Sequence, residues 1–335
     1  MVTDMEVKAR FKRLYPEYAA ALEKAQSDDE ISELQQTWIE QRKAQLLKEL
    51  TAQGKRDLLA DGMLNDTDKT VAVALTETQY ETLVKARNGQ IQTELVALFD
   101  AVERLKDMGS QDEEVMSYAM MNAGLAALGI SMVTALITEI LSGMGLATAV
   151  FTALSVASMS VVGIVVDLVV LAVIPIIYFM TKPAACIFMV INELQTDLVI
   201  QDEDVVHGKV NVKTERIPGS IKLKSVMRSG GIWSTQKRDA ALIGTQYGVR
   251  LAQKKGQLGE EPDDTTFAIG VECPLADGHN SCAVAINQSA RDIARAVDAH
   301  RRQDVSCDDG KYGMEMHCNS GSGSLAYYVC RIFKK

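Results

Sequence analysis

Two histidine–cysteine neighbourhoods are the first places in this chain where residue types suggest chemistry: His279 between Cys273 and Cys282, and His317 beside Cys318 with Cys307 upstream. Imidazole and thiolate are the ligands of structural zinc, but such sites usually set paired ligands about two to four residues apart. Here eight residues separate the first cysteine pair and ten the second, so no metal site is expected. Asp277, Asp308 and Asp309 stand beside glycines in the manner of a calcium loop. None reproduces the alternating oxygen ligands of an EF-hand, and turns account for them. Nucleophile elbows, HExxH, phosphate-cradling glycine loops and dinucleotide fingerprints are absent. SGSGS, Ser320 to Ser324, lacks the Gly-x-Ser-x-Gly spacing and reads as a flexible loop. The expectation is a protein that is not an enzyme and holds no cofactor.

Aromatic side chains are the next candidates. Trp233, Tyr247, Tyr312, Tyr327 and Tyr328 lie near expected loops, where amphipathic rings suit sugar faces or lipid headgroups. These five are the candidate receptor- or lipid-binding residues. The competing reading is ordinary core, because alternating aromatics in a sandwich point inward.

Charge narrows the partners. The net charge is −9; residues 1–115 hold 15 basic and 23 acidic side chains, and residues 183–335 hold 19 of each. An acidic chain without a basic stripe is a poor ligand for a phosphate backbone, so nucleic acid is not an expected partner. MVTDMEVKARFKRLYPEY has no apolar run after its basic residues, so a classical secretory signal is not expected and the protein reads as secreted or released by another route. Five of the six cysteines fall in the last 63 residues, as a disulfide framework or as buried thiols.

The elements that would position these residues fall into two kinds. In the first half, Ser27 with Glu30, Thr76 with Gln79 and Ser110 with Glu113 match the capping-box spacing. A helix is predicted from Thr76 to Met108, ending at Gly109. Its seam of Ile91, Leu95, Leu98, Val102 and Leu105 is spaced for lengthwise packing on a second helix that carries Ile31, Leu34, Trp38, Leu46 and Leu50. In the second half, KVNVKTERI, YGVRLA, TFAIGVE, CAVAI and LAYYVCRIF read as short strands, with one helix inserted at Ser289 to Arg302.

Between the halves lies the most unusual segment. From Tyr118 to Thr181 the only charged residues in 64 positions are Glu139 and Asp167. Two apolar stretches, each long enough to span a bilayer, meet at Ser142, Gly143, Met144 and Gly145. Three readings are open: buried core helices, a resident two-span membrane protein, or a hairpin hidden in a soluble form and then released into a target bilayer. For the last, the membrane-inserting positions are Gly124, Leu128, Met132, Leu136, Leu141, Gly143, Met144, Gly145, Leu146, Val150, Leu154, Val161, Val165 and Val169, with Glu139 and Asp167 as pore-polar candidates.

Long helices over 27–108, the stretch MMNAGLAALGISMVTALITEILSGMGLATAVFTALSVASMSVVGIVV and the missing signal together resemble the α-helical pore-forming toxins of the cytolysin A and haemolysin BL / non-haemolytic enterotoxin type. The resemblance is one of architecture over residues 20–185. It implies a protein that extrudes its hairpin and forms a homo-oligomer, alone or with a companion subunit. In that family a long helix returns after the hydrophobic segment, whereas here a β-rich tail follows.

The resulting expectation is an α+β protein. Residues 1–200 form a long-helix bundle with the hairpin at 118–181, and residues 201–335 form an antiparallel, sandwich-like β-domain that finds the target. Its function would be a membrane-permeabilising toxin with a lipid membrane and a glycan or lipid receptor as partners. A resident two-span protein or a nonlytic binding protein is the alternative.

Overall fold

The computed structural model describes residues 9, 11–13, 15–25, 27–52, 72–75, 77–104, 184–222, 226–238, 241–255, 260–275 and 278–335. The chain divides into two compact units, one of Met1–Asp4, Leu75–Leu98 and Ile176–Lys335, the other of Met5–Ala74 and Phe99–Pro175. The predicted hairpin at 118–181, with all its inserting positions from Gly124 to Val169 and with Glu139 and Asp167, lies outside the described residues, as does Asp277.

In the second unit, helix α1 (Pro16–Lys24) precedes helix α2 (Asp28–Ala52). Glu30 N–H donates to Ser27 Oγ at 3.2 Å, the hydrogen bond expected of a capping serine. Phe11, Tyr15, Tyr18 and Trp38 stack in series, with centroids 5.6, 5.8 and 4.4 Å apart.

A short strand β1 (Ala72–Leu75) leads to α3 (Glu77–Lys85) and α4 (Gly89–Arg104). The single helix predicted from Thr76 to Met108 is therefore two. Asn88 takes a left-handed conformation, φ 52°, ahead of Gly89, and Asn-Gly is the dipeptide that tolerates such a break. Arg87 seals the end of α3 by donating to the carbonyls of Val84 and Ala86, both at 2.8 Å.

The rest of the first unit is β-structure: β2 (Ala185–Asn192), β3 (Asp197–His207), β4 (Lys209–Val212), β5 (Arg216–Ile217), β6 (Ile221–Lys222), β7 (Val226–Gln236), β8 (Thr245–Lys254), β9 (Thr266–Cys273), β10 (Ser281–Ile286), then α5 (Ala290–His300), β11 (Asp304–Asp308), β12 (Tyr312–Cys318) and β13 (Leu325–Lys334). One sheet runs β7–β2–β13–β12–β11, with β4 and β6 also paired to β7; the other runs β10–β9–β8–β3–β5. These ladders are antiparallel except β13 with β2, which is parallel.

The expectation of a long-helix bundle is thus corrected. The described fold is dominated by two sheets, and α2, its longest helix at 25 residues, is strewn with charge: DDEISELQQTWIEQRKAQLLKELTA. The predicted long helix is broken at Asn88, and within residues 1–200 the bundle also missed β2, ACIFMVIN, whose eight positions are all buried. A continuous apolar run of that length has no period from which strand and buried helix can be told apart, and a strand paired on both edges and covered on both faces looks like that.

Cys186, Phe188 and Val190 enter the core between the sheets with Trp233, Val249, Phe267 and Ile269. The alternate residues Ile187, Met189 and Ile191 point away from that core, yet they are fully buried. Helix α3 packs against β7 and β13, where the Arg228 guanidinium sits 3.6 Å over the Tyr80 ring and pairs with Glu77 at 3.0 Å.

A polar knot fixes the exit of β2. Buried Asn192 donates through Nδ2 to the carbonyls of Thr196, Ile217 and Pro218 at 2.9, 3.2 and 3.1 Å, and its Oδ1 accepts from Leu194 N–H at 3.0 Å. Beside it, buried Asp197 pairs with Arg216 at 2.7 Å and accepts from Gly219 N–H at 2.8 Å. Burial raises the Asp197 carboxyl despite the opposing pull of that hydrogen bond and of Arg216.

Helix α5 lies on the outer face of the second sheet through two glycines. A Cβ on Gly248 would stand 2.2 Å from Ala290 O, and one on Gly270 would stand 2.5 Å from Val297 Cγ2. Gly248→Ala must push the helix outward and is expected to cost about 1–3 kcal/mol. Gly89→Ala meets nothing within 4 Å at the start of α4 and is expected to be neutral or stabilising by up to about 1 kcal/mol. Urea denaturation of both variants measures the contrast.

Candidate functional site

The five aromatics singled out from sequence are all enclosed. Trp233, Tyr247, Tyr327 and Tyr328 have no exposed surface and Tyr312 only 5%. Trp233 stacks on Phe188 with centroids 5.2 Å apart. Tyr247 donates to Glu203 Oε2 at 3.1 Å, and burial, then the Glu203 charge, raises its hydroxyl pKa. Tyr328 donates to Glu272 O at 2.6 Å, and Tyr312 to Asp263 Oδ2 at 3.0 Å. Strand alternation turns Trp233, Tyr247, Tyr312 and Tyr328 into the space between the sheets, so no ring is presented to a sugar face.

The chemistry-bearing neighbourhoods also resolve. All six cysteines are free thiols, five buried and Cys307 half-buried. Burial raises Cys186, Cys282 and Cys330, and lifts Cys307 to about 11 and Cys318 to about 12. His279 Nδ1 lies 3.3 Å from Gly321 O, and His317 Nδ1 lies 2.7 Å from Asp304 Oδ1. Among the described residues no group of three or more His, Cys, Asp or Glu is placed to hold a metal ion. Asp308 accepts from Gly310 N–H at 3.2 Å, and Asp309 from the N–H groups of Lys311 and Tyr312 at 2.9 and 2.8 Å. Those contacts make both aspartates turn residues.

One end of the sandwich differs from the rest. β2 begins at Ala185 opposite Gln236, β3 ends at His207 opposite Gln246, and β9 ends at Cys273 opposite Thr245. The turn at Gly208, the loop between β7 and β8 and the segment after Cys273 therefore meet there. Gly208 has φ 88°, and a Cβ would lie 2.5 Å from Gln236 O, so only glycine passes from one sheet to the other at this point.

The β7–β8 loop is braced at several points. Lys237 N–H donates to Ala184 O at 3.0 Å, Arg238 Nε to Gly208 O at 3.0 Å, and Ala241 N–H to Arg238 O at 3.1 Å. Gly244 presses so closely on the next segment that a Cβ would stand 2.0 Å from Cys273 O.

On this braced loop Leu242 is 88% exposed and Ile243 57%, and the next most exposed large apolar side chain among the described residues is Val205, at 38% on β3. The segments that meet at this end carry basic residues: Lys209 at the start of β4, Lys237 and Arg238 in the loop, and Arg301 and Arg302 just past α5. α5 reaches this end because Cys282 N–H donates to Arg302 O at 2.8 Å and Gln303 Nε2 to Asn280 O at 3.1 Å. Glu272, one residue before the end of β9, is a half-buried carboxyl pushed up to about 7, first by burial and then by the charge of Asp298, against the pull of Arg301.

Leu242 and Ile243 escaped the sequence reading. They sit in GIWSTQKRDAALIGTQYGVRLA, where Trp233 and Tyr247 drew attention. The available signal was an apolar pair between a charged run and a glycine, outside the alternation of either strand.

No family model matches the sequence, and no curated protein matches it. Among solved structures the chain is similar to the lipid binding protein Nakanori, with 14% identity and a TM-score of 0.36 over 45% of this chain and 71% of that one. It is also similar to the wild-type lectin XCL of Xerocomus chrysenteron, with 10% identity and a TM-score of 0.25 over 44% and 99%. Likeness at these TM-scores assigns neither fold nor ligand. The expected helical, transmembrane pore former is corrected by the β-rich fold itself. Among the described residues no helix is long and apolar enough to cross a membrane.

The thiol environments are open to direct measurement. At mildly alkaline pH the native protein is expected to react slowly with Ellman's reagent, Cys307 first, and to release all six thiols once unfolded in guanidinium. Fewer than six in the unfolded, unreduced chain would reveal disulfides.

Proposed function

We propose that the protein is a nonlytic binding module that docks on lipid surfaces through the loop between β7 and β8. The observation that carries this reading is the exposure of Leu242 and Ile243, side by side on a loop braced at Lys237, Arg238 and Gly244. A braced loop loses little conformational freedom on docking, so the gain from burying its side chains is largely kept.

Complete transfer of a Leu or Ile side chain out of water is worth about 1.5–3 kcal/mol. Each cation near an anionic headgroup layer adds about 1 kcal/mol. The pair with its basic rim therefore suffices for reversible attachment. Two side chains reach the boundary between headgroups and acyl chains, whereas spanning takes a helix of about 20 residues. Attachment through this loop alone is adsorption without leakage.

Cosedimentation with phosphatidylcholine–phosphatidylserine vesicles tests the reading, with release of an encapsulated dye followed in parallel. The native protein is expected to pellet with vesicles and release no dye. Leu242→Glu with Ile243→Glu is expected to weaken binding at least about tenfold, the equivalent of ~1.4 kcal/mol, with the thermal melt unchanged. Equal binding by the double variant, or no binding by the native protein, would reject this function.

A further inference from the structure

Glu272 occupies an unusual place at the docking end. It lies on β9 opposite Gln246 of β8 and Ser281 of β10, under the C-terminal turn of α5. That turn is anchored to the same strands: Gln246 Nε2 donates to Ala294 O at 2.7 Å, and Arg301 N–H closes the helix on Val297 O at 3.2 Å. Cys273 and Val271, its neighbours in β9, face the core between the sheets, so the Glu272 side chain is on the α5 side. Two charges act on it from this helix and its cap: Asp298, in the last turn of α5, and Arg301, the residue after the helix. The carbonyl end of a helix carries partial negative charge, so the carboxylate meets Asp298 and the helix terminus with one guanidinium as compensation. His279, two residues before β10, His207, opposite Gln246 in β3, and His317, which meets Asp304 next to Gln303, also belong to this end among the described residues.

We propose that Glu272 is the pH-sensing group of the docking face, and that the face prefers anionic headgroups once this carboxyl is protonated. The proposal rests on the lipid-docking reading above. As a carboxylate, Glu272 offsets one of the cations Lys209, Lys237, Arg238, Arg301 and Arg302. Protonation takes up one H+ from solvent and leaves a neutral acid, so the net charge of the end rises by one. Arg301 then no longer feels the charge of that carboxylate and can serve a phosphate oxygen. An anionic bilayer favours the protonated form in turn, so binding and proton uptake reinforce each other.

The sign follows from the direction of the shift. The folded-state carboxyl titrates near 7, above the ordinary glutamate range, so the folded protein holds this proton in a window where the unfolded chain has released it. Protonation therefore supports folding and anionic-lipid binding together below about pH 7. Both contributions fade as pH rises through that value.

The experiment measures the full chain on phosphatidylcholine vesicles with and without phosphatidylserine, at about pH 8.5 and about pH 6. One unit of charge at an anionic surface corresponds to about a fivefold change in binding. The native protein is expected to bind phosphatidylserine vesicles about fivefold more tightly at the lower pH and to show no such change on phosphatidylcholine alone. Glu272→Gln should bind at both pH values as the native protein does at the lower one. Asp298→Asn, an exposed change that leaves the fold alone, should move the midpoint of the transition to lower pH. His207→Ala combined with His279→Ala and His317→Ala should keep the transition. Loss of the transition in the histidine variant, or its persistence in Glu272→Gln, would overturn the proposal while leaving docking intact. No binding to either vesicle at either pH would overturn docking and switch together.

Discussion

A strand with no face toward water governs this fold. All eight positions of β2 are buried, so it must be paired along both edges and covered on both sides. β13 and β7 supply the edges, the inter-sheet core covers one face, and α3 helps to cover the sheet to which it belongs. Where β2 ends, its chain must turn without leaving buried amides unpaired. Asn192 and Asp197 meet that need by binding the segments on either side of them.

The same requirement sets up the other end of the sandwich. Core strands that start and stop in register bring the Gly208 turn, the β7–β8 loop and the segment after Cys273 to one place. Close approach of the chain there depends on glycines at 208 and 244 that admit no side chain. A carboxyl caught between a helix end and an aspartate completes the arrangement, because its charge state alters the balance of a face otherwise rich in lysine and arginine.

Much of the tail was legible in the sequence. Strand alternation at YGVRLA, TFAIGVE, CAVAI and LAYYVCRIF corresponds to β8, β9, β10 and β13, and the helix expected at Ser289 to Arg302 runs from Ala290 to His300. β2 was not legible, because its apolar run lacks any period. The break between α3 and α4 was written in Asn88-Gly89 but overridden by the regular spacing of Ile91, Leu95 and Leu98. The candidate site was illegible for a different reason: aromatic rings were the conspicuous residues, and their role depends on which face of a strand they occupy. Shifting a strand by one position exchanges those faces.

By itself, the sequence determined local matters: where strands alternate, where a helix is inserted after Ser289, and where glycines permit turns. These depend on a few neighbouring residues, so a linear reading captures them. Only the tertiary structure decided that Trp233 and Tyr328 are core, that six cysteines are separate thiols, and that Leu242 and Ile243 stand exposed at one end of the sandwich. Burial and charge environment are properties of what the chain brings together from far apart. Glu272 owes its raised carboxyl first to burial and then to the charge of Asp298, against the pull of Arg301, and the helix that carries Asp298 settles on the sheet where two glycines leave room for it.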